Sequence, residues 1–312
     1  MIAKLKKYIR SKISGYIINS IPSGKKYDEL KYTTAKSYFN IAKKTYSDVK
    51  KFDEVYYKVF SQNGEDGVLD YLIEKLKIKN LKFVELGVGS YKESNTRFLF
   101  IDKACKGLII DKETNLQNQV KENIEFWKGD LEIINTTIKK DNINEILNKN
   151  NFLDNLDLFS IDLDGIDYWI INQLPNKFSK IAVVEYNSIF GDSAEITVPY
   201  FENFNRYDYH YSSLCYGASL TAVINLMQKK GFLFLGINEI KNNAFFIQNN
   251  FSDLFNLEND LSLSFCTSTN IRESRNQENK LTYLPIHRSK NLIKDCEVFD
   301  LKDNSIKKIS QI

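Results

Sequence analysis

The chain has 312 residues, of which 43% are apolar and 27% are charged, and its formal net charge is +3. These values are typical of a folded globular protein and exclude a disordered, collagen-like or coiled-coil chain. The small net charge gives no support to nucleic-acid binding. Four cysteines without a CxxC pair and only two histidines argue against a disulfide framework, a cysteine-based zinc site and a histidine-rich metal site. Because such cysteine usage fits a reducing compartment, we predict a cytoplasmic location.

The N-terminal part of the chain is strongly basic. Residues 1–58 contain 14 Lys/Arg and 5 Asp/Glu, or +9, which leaves −6 for the remainder because the total is +3. Within residues 1–20, isoleucine and leucine recur at near-helical spacing with lysines between them. Two interpretations follow: a basic amphipathic helix in peripheral contact with an anionic membrane, or a helix packed on its own domain. No apolar run is long enough to span a bilayer, and we predict residues 1–58 to be a helical N-terminal extension.

Strands and helices alternate in the next segment, residues 59–250. A helix is predicted to begin at Ser61-Gln62-Asn63-Gly64-Glu65-Asp66 with Asn63 as its N-cap. Predicted strands follow at 81–86, 107–111, 124–127, 156–162, 181–185, 232–237 and 244–248. Alternation of this kind predicts an α/β fold with a doubly wound, mostly parallel sheet, and the short 238–243 connection predicts an antiparallel closing hairpin.

Two segments interrupt or follow this pattern. Residues 190–216 are rich in tyrosine and are predicted to be an insertion, the part of such a fold that commonly contacts substrate. Residues 251–312 are predicted to be a C-terminal appendage with one candidate strand at 296–301. The predicted organisation is therefore an extension, one α/β domain and an appendage.

Glycines and an acid follow the first two predicted strands. Gly87-Val88-Gly89 allows a ligand to approach the backbone closely, and Asp111 is placed to accept hydrogen bonds from two ribose hydroxyls. The third glycine of a dinucleotide fingerprint is replaced by Lys92, and no phosphate-binding loop of the GxxxxGK[ST] type is present. A nucleoside cofactor without a pyrophosphate fits both observations, and S-adenosylmethionine is the common one.

Acidic residues cluster at the ends of two later strands. Asp162 and Asp164 have i, i+2 spacing, as do Glu185 and Asn187. If the strands are neighbours, these oxygen ligands suit Mg²⁺ or Mn²⁺. The alternative is that Asp162 caps its strand, Asp164 faces the cofactor's sulfonium and Glu185 binds backbone.

Three sequence blocks together carry a family resemblance. Ser61-Gln62-Asn63-Gly64-Glu65-Asp66, Phe83-Val84-Glu85-Leu86-Gly87-Val88-Gly89 and Ser94-Asn95-Thr96 resemble the FkbM-like group of S-adenosylmethionine-dependent methyltransferases, as does the acidic run 160–167. The resemblance covers about residues 59–248 and implies a Rossmann-like, class I methyltransferase fold. It implies that Glu85 and Gly87 line the methionine part of the cofactor, Asp111 its ribose and Asp130 its adenine edge. It also implies cofactor contacts from Gln62, Asp66, Gly89, Asn95, Thr96 and Asp162.

The implied reaction is O-methylation of a small acceptor. Candidate general bases are His210, Asp164 and Glu185, although a lone histidine among tyrosines also fits a structural role. The family resemblance implies a bacterial surface-glycan or secondary-metabolite substrate. We predict a carbohydrate-related or phosphorylated acceptor, with a nucleotide-linked sugar as one form of it, in surface-glycan or capsular polysaccharide biosynthesis. The alternative function is a binding subunit that retains the methyltransferase fold without catalysis.

Overall fold

The computed structural model describes residues 24–103, 105–124, 129–191, 193–255 and 273–312. The chain divides into two units, with the boundary between Lys44 and Thr45. In the described part of the first, helix α1 spans Gly24–Ala42, and a 3-10 turn at Lys43–Thr45 follows at the boundary. The predicted amphipathic helix of residues 1–20 lies outside the described residues. Within the described ranges, no helix combines the length and apolarity needed to cross a bilayer.

The second unit is built on a seven-stranded sheet. Its strands are β1 Lys82–Leu86, β2 Lys106–Asp111, β3 Asp130–Asn135, β4 Leu158–Ile161, β5 Ile181–Glu185, β7 Phe232–Ile237 and β8 Asn243–Gln248. The strand order is β3-β2-β1-β4-β5-β8-β7. The first five strands are parallel, whereas β8 runs antiparallel to both β5 and β7. The predicted doubly wound, mostly parallel α/β sheet with a closing hairpin is thus confirmed, and the fold is Rossmann-like.

Helices connect the strands along the chain. They are α2 Glu65–Lys75, α3 Arg97–Asp102, α4 Leu116–Asn123, α5 Ile143–Lys149, α6 Asp167–Gln173, α7 Arg206–Tyr209, α8 Leu220–Lys229 and α9 Ile286–Leu292. Asn63 does not cap α2, because Gly64 occupies the N-cap position with a left-handed φ of 88°.

The central strands of the sheet are buried on both faces. Val84 and Phe159 belong to a core cluster with residues of the covering helices, such as Ile170, and Phe83 and Leu158, on the opposite face, are also fully buried. Continuous apolar strands of this kind are stable only when helices cover both faces of a parallel sheet. The order reverses between β1 and β4, which lie side by side although β1 is followed along the chain by β2. Such a reversal opens a crevice at the carboxyl ends of the strands.

The third strand is displaced from its predicted position. Residues 125–127 of the predicted strand lie outside the described residues, and β3 begins at Asp130 and continues to Asn135. The segment 133–135 belongs to this strand and pairs in parallel with β2. Because β3 is an edge strand, its side chains are only partly buried and its sequence mixes polar and apolar residues. The apolar pattern that marks a strand is therefore weaker in β3 than in the central strands.

A second, three-stranded sheet joins the insertion to the C-terminal segment. Its order is β10-β9-β6, with β6 Ile196–Thr197, β9 Glu297–Asp300 and β10 Ser305–Lys308. The candidate strand at 296–301 is thus present as β9, and it pairs with the insertion strand β6. A separate apolar cluster, including Ile189, Val198, Ile293 and Val298, lies beneath this sheet. The C-terminal segment therefore supports the wall formed by the insertion.

Candidate functional site

A large open cleft lies at the carboxyl ends of the parallel strands, where the strand order reverses. Its volume is about 1590 Å³, which exceeds the roughly 300–1,000 Å³ of a typical small-molecule pocket. One side includes Gln62, residues 87–90, Lys92, Glu93, Asp111, Lys112 and residues 136–138, and we call it the cofactor side after the role that the sequence predicts for Gly87 and Asp111. The other is formed by Asp162, Asp164, residues 202–206, Asp208, residues 213–214, Tyr216, Ile240 and Glu273, and we call it the acceptor side.

The glycine turn after β1 has two different structural requirements. Gly87 has φ of 79°, and a Cβ there would lie 1.7 Å from the carbonyl oxygen of Asp162. Gly89 has φ of 52°, and a Cβ there would meet no atom within 4 Å. Gly87 is thus fixed by the packing of β1 against the loop after β4. Gly89 instead leaves the cleft open beside the backbone.

Asp111 lies at the end of β2, on the cofactor side. One oxygen of its carboxylate accepts from the backbone N–H of Gly89 at 2.7 Å, and the other accepts from that of Glu113 at 2.9 Å. A carboxylate has about four acceptor positions, so two hydrogen bonds leave capacity for hydroxyl groups of a ligand. Asp111 both orients the glycine turn and presents acceptors to the cleft.

Glu85 is placed differently from its predicted role. It is 5% exposed and is not among the described residues that line the cleft. Its carboxylate accepts from the hydroxyls of Ser94 and Thr96 and from the backbone N–H groups of Asn95 and Thr96. Burial raises the pKa of Glu85, and these hydrogen bonds oppose that shift. Glu85, Asn95 and Thr96 therefore fix the loop beyond Gly89 from behind, and the prediction that Glu85 lines the methionine part is corrected.

Asp66 performs a similar task for the segment that carries Gln62. It is fully buried, and its Oδ2 accepts from the backbone N–H groups of Val59, Phe60 and Ser61 and from the Ser61 hydroxyl. Burial raises the pKa of Asp66 to about 6 despite these bonds. Gln62 lines the cleft, and its cofactor contact stays a prediction, whereas Asp66 holds the loop of Gln62 through the backbone of Val59, Phe60 and Ser61.

Glu65 is a functional candidate that the sequence interpretation missed. It is buried, and its Oε1 accepts from the side-chain amides of Asn238 at 2.7 Å and Asn243 at 2.9 Å. Its Oε2 accepts from the backbone N–H of Asn63 at 2.7 Å. Glu65 thus ties the loop of Gln62 to the β7–β8 turn, whose Ile240 reaches the cleft. The available signal was the Asn-rich hairpin 238–243, which sequence reasoning treated only as a turn.

Three carboxylates meet at the ends of β4 and β5. Ligand atoms of Asp162, Asp164 and Glu185 all lie within 4.8 Å of one another. Asp164 has φ of 55°, and its loop is held by Asp167, which accepts from the backbone N–H groups of Leu163 and Gly165. The predicted acidic trio is therefore brought together.

A guanidinium from the insertion lies beside this trio. Arg206 donates to Asp164 at 2.6 Å. Burial by itself would lower the pKa of Arg206, but Asp164, Tyr207 and Glu185 outweigh it and the pKa is raised. The positive charge of Arg206 thus offsets part of the repulsion among the carboxylates.

Asn187 is not available as a metal ligand. It is fully buried, its Oδ1 accepts from the backbone N–H of Ile189, and its Nδ2 donates to the carbonyls of Leu214 and Tyr216. Because both polar atoms serve the chain, the metal prediction is corrected for this residue. Through these bonds Asn187 holds the segment 214–216, which lines the acceptor side.

His210 points to a different environment from the predicted catalytic one. Its Nδ1 lies 2.7 Å from the Ser212 hydroxyl, and its ring packs on Tyr211. It is not among the described residues lining the cleft. The pKa of Cys296 is lowered by the hydrogen bond with Cys215 and, against the opposing effect of burial, also by His210. His210 therefore belongs to the junction between the insertion and the C-terminal segment, and its predicted role as general base is corrected.

Asp130 lies at the opposite end of the sheet from the cleft. It begins β3, pairs in register with Lys106 at the start of β2, and its side chain is 65% exposed with Lys106 Nζ at 3.6 Å. The adenine-edge prediction is therefore wrong. It assumed that a strand ended before Asp130, whereas the strand begins there.

Comparison with known proteins gives structural matches only. No protein-family model and no curated protein matches the sequence. A methyltransferase dependent on S-adenosylmethionine from Clostridium acetobutylicum matches with 8% identity, 59% of this chain, 90% of that chain and a TM-score of 0.37. One from Aquifex aeolicus matches with 11% identity and a TM-score of 0.33, and the match covers 59% of this chain and 88% of that chain. The N-terminal domain of EvdMO1 with SAH bound matches with 11% identity, 60% and 80% coverage and a TM-score of 0.38.

The first two of these structural neighbours are S-adenosylmethionine-dependent methyltransferases, but the low identities and TM-scores do not transfer an activity to this chain. What the chain has by its own topology is a Rossmann-like sheet with a cleft at the switch point. The functional assignment therefore depends on the residues of that cleft.

Proposed function

We propose that this protein is an S-adenosylmethionine-dependent methyltransferase that O-methylates a small, carbohydrate-related acceptor. The observation that carries the proposal is the pairing of the glycine turn with Asp111 through the 2.7 Å hydrogen bond from Gly89. Free acceptor capacity on Asp111 suits two ribose hydroxyls, and the open space beside Gly89 suits close approach of an adenosine-bearing ligand. Lys92 in place of a third glycine favours a cofactor without a pyrophosphate.

The proposed reaction is an in-line displacement at the cofactor's methyl group. An acceptor oxygen forms the new bond to carbon, the bond from carbon to sulfur breaks, and S-adenosylhomocysteine leaves. The hydroxyl proton needs a base close to the acceptor. Asp164, which is 53% exposed and lines the cleft, is the carboxylate suited to this role. Glu185 is buried and is not among the described residues that line the cleft, so it would act on the acceptor only through the acidic trio. Gathering acceptor and methyl group in one cleft supplies the proximity that such a transfer needs.

A divalent cation is proposed as an accessory at the acidic trio. The donor set fits, because carboxylate oxygens of Asp162, Asp164 and Glu185 can converge within 4.8 Å and hard oxygen ligands suit Mg²⁺ or Mn²⁺. When bound, such an ion polarises an acceptor hydroxyl and eases its deprotonation. Arg206 is the competing positive charge at this position. Loss of activity in a chelator, restored by Mg²⁺, supports the ion, whereas full activity in the chelator refutes it.

The test of the cofactor assignment uses two aspartates that sequence analysis treated alike. Isothermal titration with S-adenosylmethionine is carried out on the wild type, Asp111→Ala and Asp130→Ala. Losing charged hydrogen bonds at about 1.5–3 kcal/mol predicts about 10- to 100-fold weaker binding for Asp111→Ala. Asp130→Ala should bind as the wild type does, because Asp130 lies at the far end of the sheet. Equal affinities for all three proteins would refute the ribose assignment.

A second measurement separates an enzyme from a binding subunit. Release of S-adenosylhomocysteine in the presence of a small-molecule extract is expected for an enzyme. Cofactor binding with intact affinity but without any product would instead favour the non-catalytic binding subunit. The surface-glycan role comes from the family resemblance and is tested by the chemical identity of the methylated product.

A further inference from the structure

The acceptor side of the cleft has a charge that bears on substrate class. Its described lining includes five carboxylates, from Asp162, Asp164, Glu202, Asp208 and Glu273, and one basic residue, Arg206. Lys92 and Lys112 line the same cleft, in the loops of Gly89 and Asp111 on the cofactor side, where Glu93 and Asp111 balance their charge. The formal charge of the acceptor-side lining is therefore −4, and a bound divalent ion would reduce it only to −2. Clefts lined by one sign of charge concentrate ligands of the opposite sign and repel those of the same sign.

Arg206, the cation on this lining, is already engaged. Its Nη1 lies 2.6 Å from Asp164, and its Nη2 donates to the Tyr207 hydroxyl at 3.2 Å. The rings of Tyr207 and Tyr216 lie 5.1 and 5.0 Å from its guanidinium carbon. A phosphate on the acceptor would have to displace Asp164 from this guanidinium and enter beside Glu185, which also acts on it.

The basic residues close to the acceptor side are paired as well. Lys139 Nζ lies 2.7 Å from Glu202, and Arg275 Nη2 lies 2.5 Å from Glu273. Lys140 Nζ lies 4.2 Å from the centre of the Tyr200 ring. Among the described residues around this side, each such cation is therefore held by a carboxylate or an aromatic ring. This arrangement differs from an anion site, in which guanidinium groups present free edges to the ligand.

We infer that the acceptor of this cleft is uncharged or carries an amine, and that it bears no phosphate or nucleotide. This inference rests on the proposed methyltransferase function and narrows its substrate class. Carboxylate oxygens accept hydrogen bonds from hydroxyl and ammonium groups alike. Ser213 adds a buried hydroxyl without a hydrogen-bond partner, and Phe204 and Tyr216 offer ring faces to the apolar side of a sugar.

The first experiment measures the local potential directly and needs no knowledge of the acceptor. The protein is ¹⁵N-labelled and saturated with S-adenosylhomocysteine, and two nitroxides of the same ring are added, one bearing an amine and the other a carboxylate. We expect the amine nitroxide to broaden the amide signals of residues 203–208 at least about twofold more strongly, with the difference shrinking in 0.5 M salt. Equal broadening, or stronger broadening by the carboxylate nitroxide, would overturn the inference.

Matched charge variants check that the acceptor side causes this difference. Asp208→Lys should lower the amine-to-carboxylate ratio, because Asp208 lines the cleft. Asp154→Lys makes the same charge change on an exposed residue next to the start of β1, at the opposite edge of the sheet, and should leave the ratio unchanged. A ratio that responds equally to both variants would mean that only the net charge of the protein is being measured, and would count against the inference.

The second experiment tests the acceptor itself. Methyl-labelled S-adenosylmethionine is incubated with the protein and a metabolite extract of its source species, and the products are separated by ion exchange. We expect the label in the fraction that passes an anion exchanger. Label that stays on the anion exchanger and is released by phosphatase would overturn the inference while leaving the methyltransferase function intact. Cofactor binding with no labelled product would instead defeat the proposed catalysis, and the nitroxide experiment would still decide the charge of the cleft.

Discussion

Replacing Glu85 by glutamine is a sharp test of how the cofactor side is built. The Glu85 carboxylate accepts from four donors: the hydroxyls of Ser94 and Thr96 and the backbone N–H groups of Asn95 and Thr96. Glutamine has one acceptor oxygen and one NH₂ group. Whichever way its amide is turned, the NH₂ group faces at least one of these donors, because both carboxylate oxygens are used.

The expected cost can be worked from these contacts. A buried donor left without its partner costs about 1–3 kcal/mol, and the remaining hydrogen bonds lose the extra strength that a charged acceptor gives. The variant recovers part of this cost, since burial disfavours the charged form of Glu85 and raises its pKa. We therefore expect Glu85→Gln to lower the free energy of unfolding by about 2–3 kcal/mol. At about 2–4 °C per kcal/mol, the melting temperature should fall by about 5–10 °C.

The assay is thermal unfolding followed by circular dichroism, with urea unfolding as a second measurement. Glu93→Gln is the matched control, because Glu93 belongs to the same loop but is 62% exposed and 3.9 Å from Lys58. Exposed pairs of this kind contribute about 0–1 kcal/mol, so the control should unfold close to the wild type. If Glu85→Gln unfolds within the error of the control, the hydrogen-bond account of Glu85 is refuted.

Three further predictions concern other supports of the cleft. Gly87→Ala should lower the free energy of unfolding by more than about 3 kcal/mol, because its Cβ would lie 1.7 Å from the Asp162 carbonyl oxygen. Gly89→Ala has open space at its Cβ, so in urea unfolding it should cost only about 1 kcal/mol. Titration calorimetry should nevertheless show weaker cofactor binding for Gly89→Ala. The raised pKa of Asp66, about 6 against 3.8, means that the folded protein binds more protons than the unfolded chain between these values, so stability falls as the pH rises through them. Asp66→Asn lacks this titration, so the wild type's stability advantage over it should shrink by about 2 kcal/mol between pH 4 and pH 7, and a constant advantage would contradict the assigned pKa. Asn187→Ala should destabilise the protein by about 2–3 kcal/mol through two unpaired carbonyls, with metal affinity in a Mn²⁺ titration unchanged; a loss of metal affinity at full stability would restore Asn187 as a ligand.

The mostly parallel central sheet could be predicted from the sequence, because its buried strands are short apolar runs that alternate with helices. Runs such as 107–111 and 181–185 are almost wholly apolar and end in an acid, and each became a strand within one residue of its predicted start. The edge strand β3 could not be placed in the same way. Its residues face partly solvent, so its composition resembles that of a helix or loop.

Some of the predicted site residues reach the cleft and others do not, and the contacts of each side chain decide which. Asp111, Asp162 and Asp164 reach the cleft because strand ends in a parallel sheet share one edge. Asn187 has the same i, i+2 spacing from Glu185 that Asp164 has from Asp162, yet its amide is consumed by the carbonyls of Leu214 and Tyr216. No local pattern distinguishes these two outcomes, since the partners come from a distant part of the chain.

By itself, the sequence determined where the central strands and helices lie, because the spacing of apolar residues is a local property. It also determined the glycine turn and the acids at the strand ends, which depend on neighbours within a few residues. The tertiary structure decided that Glu85 and Asp66 support loops, that His210 faces the C-terminal segment, and that Arg206 occupies the acidic trio. Those outcomes depend on which side chains are buried and on which distant donors or acceptors the fold brings within hydrogen-bond distance. Both are properties of the packed chain.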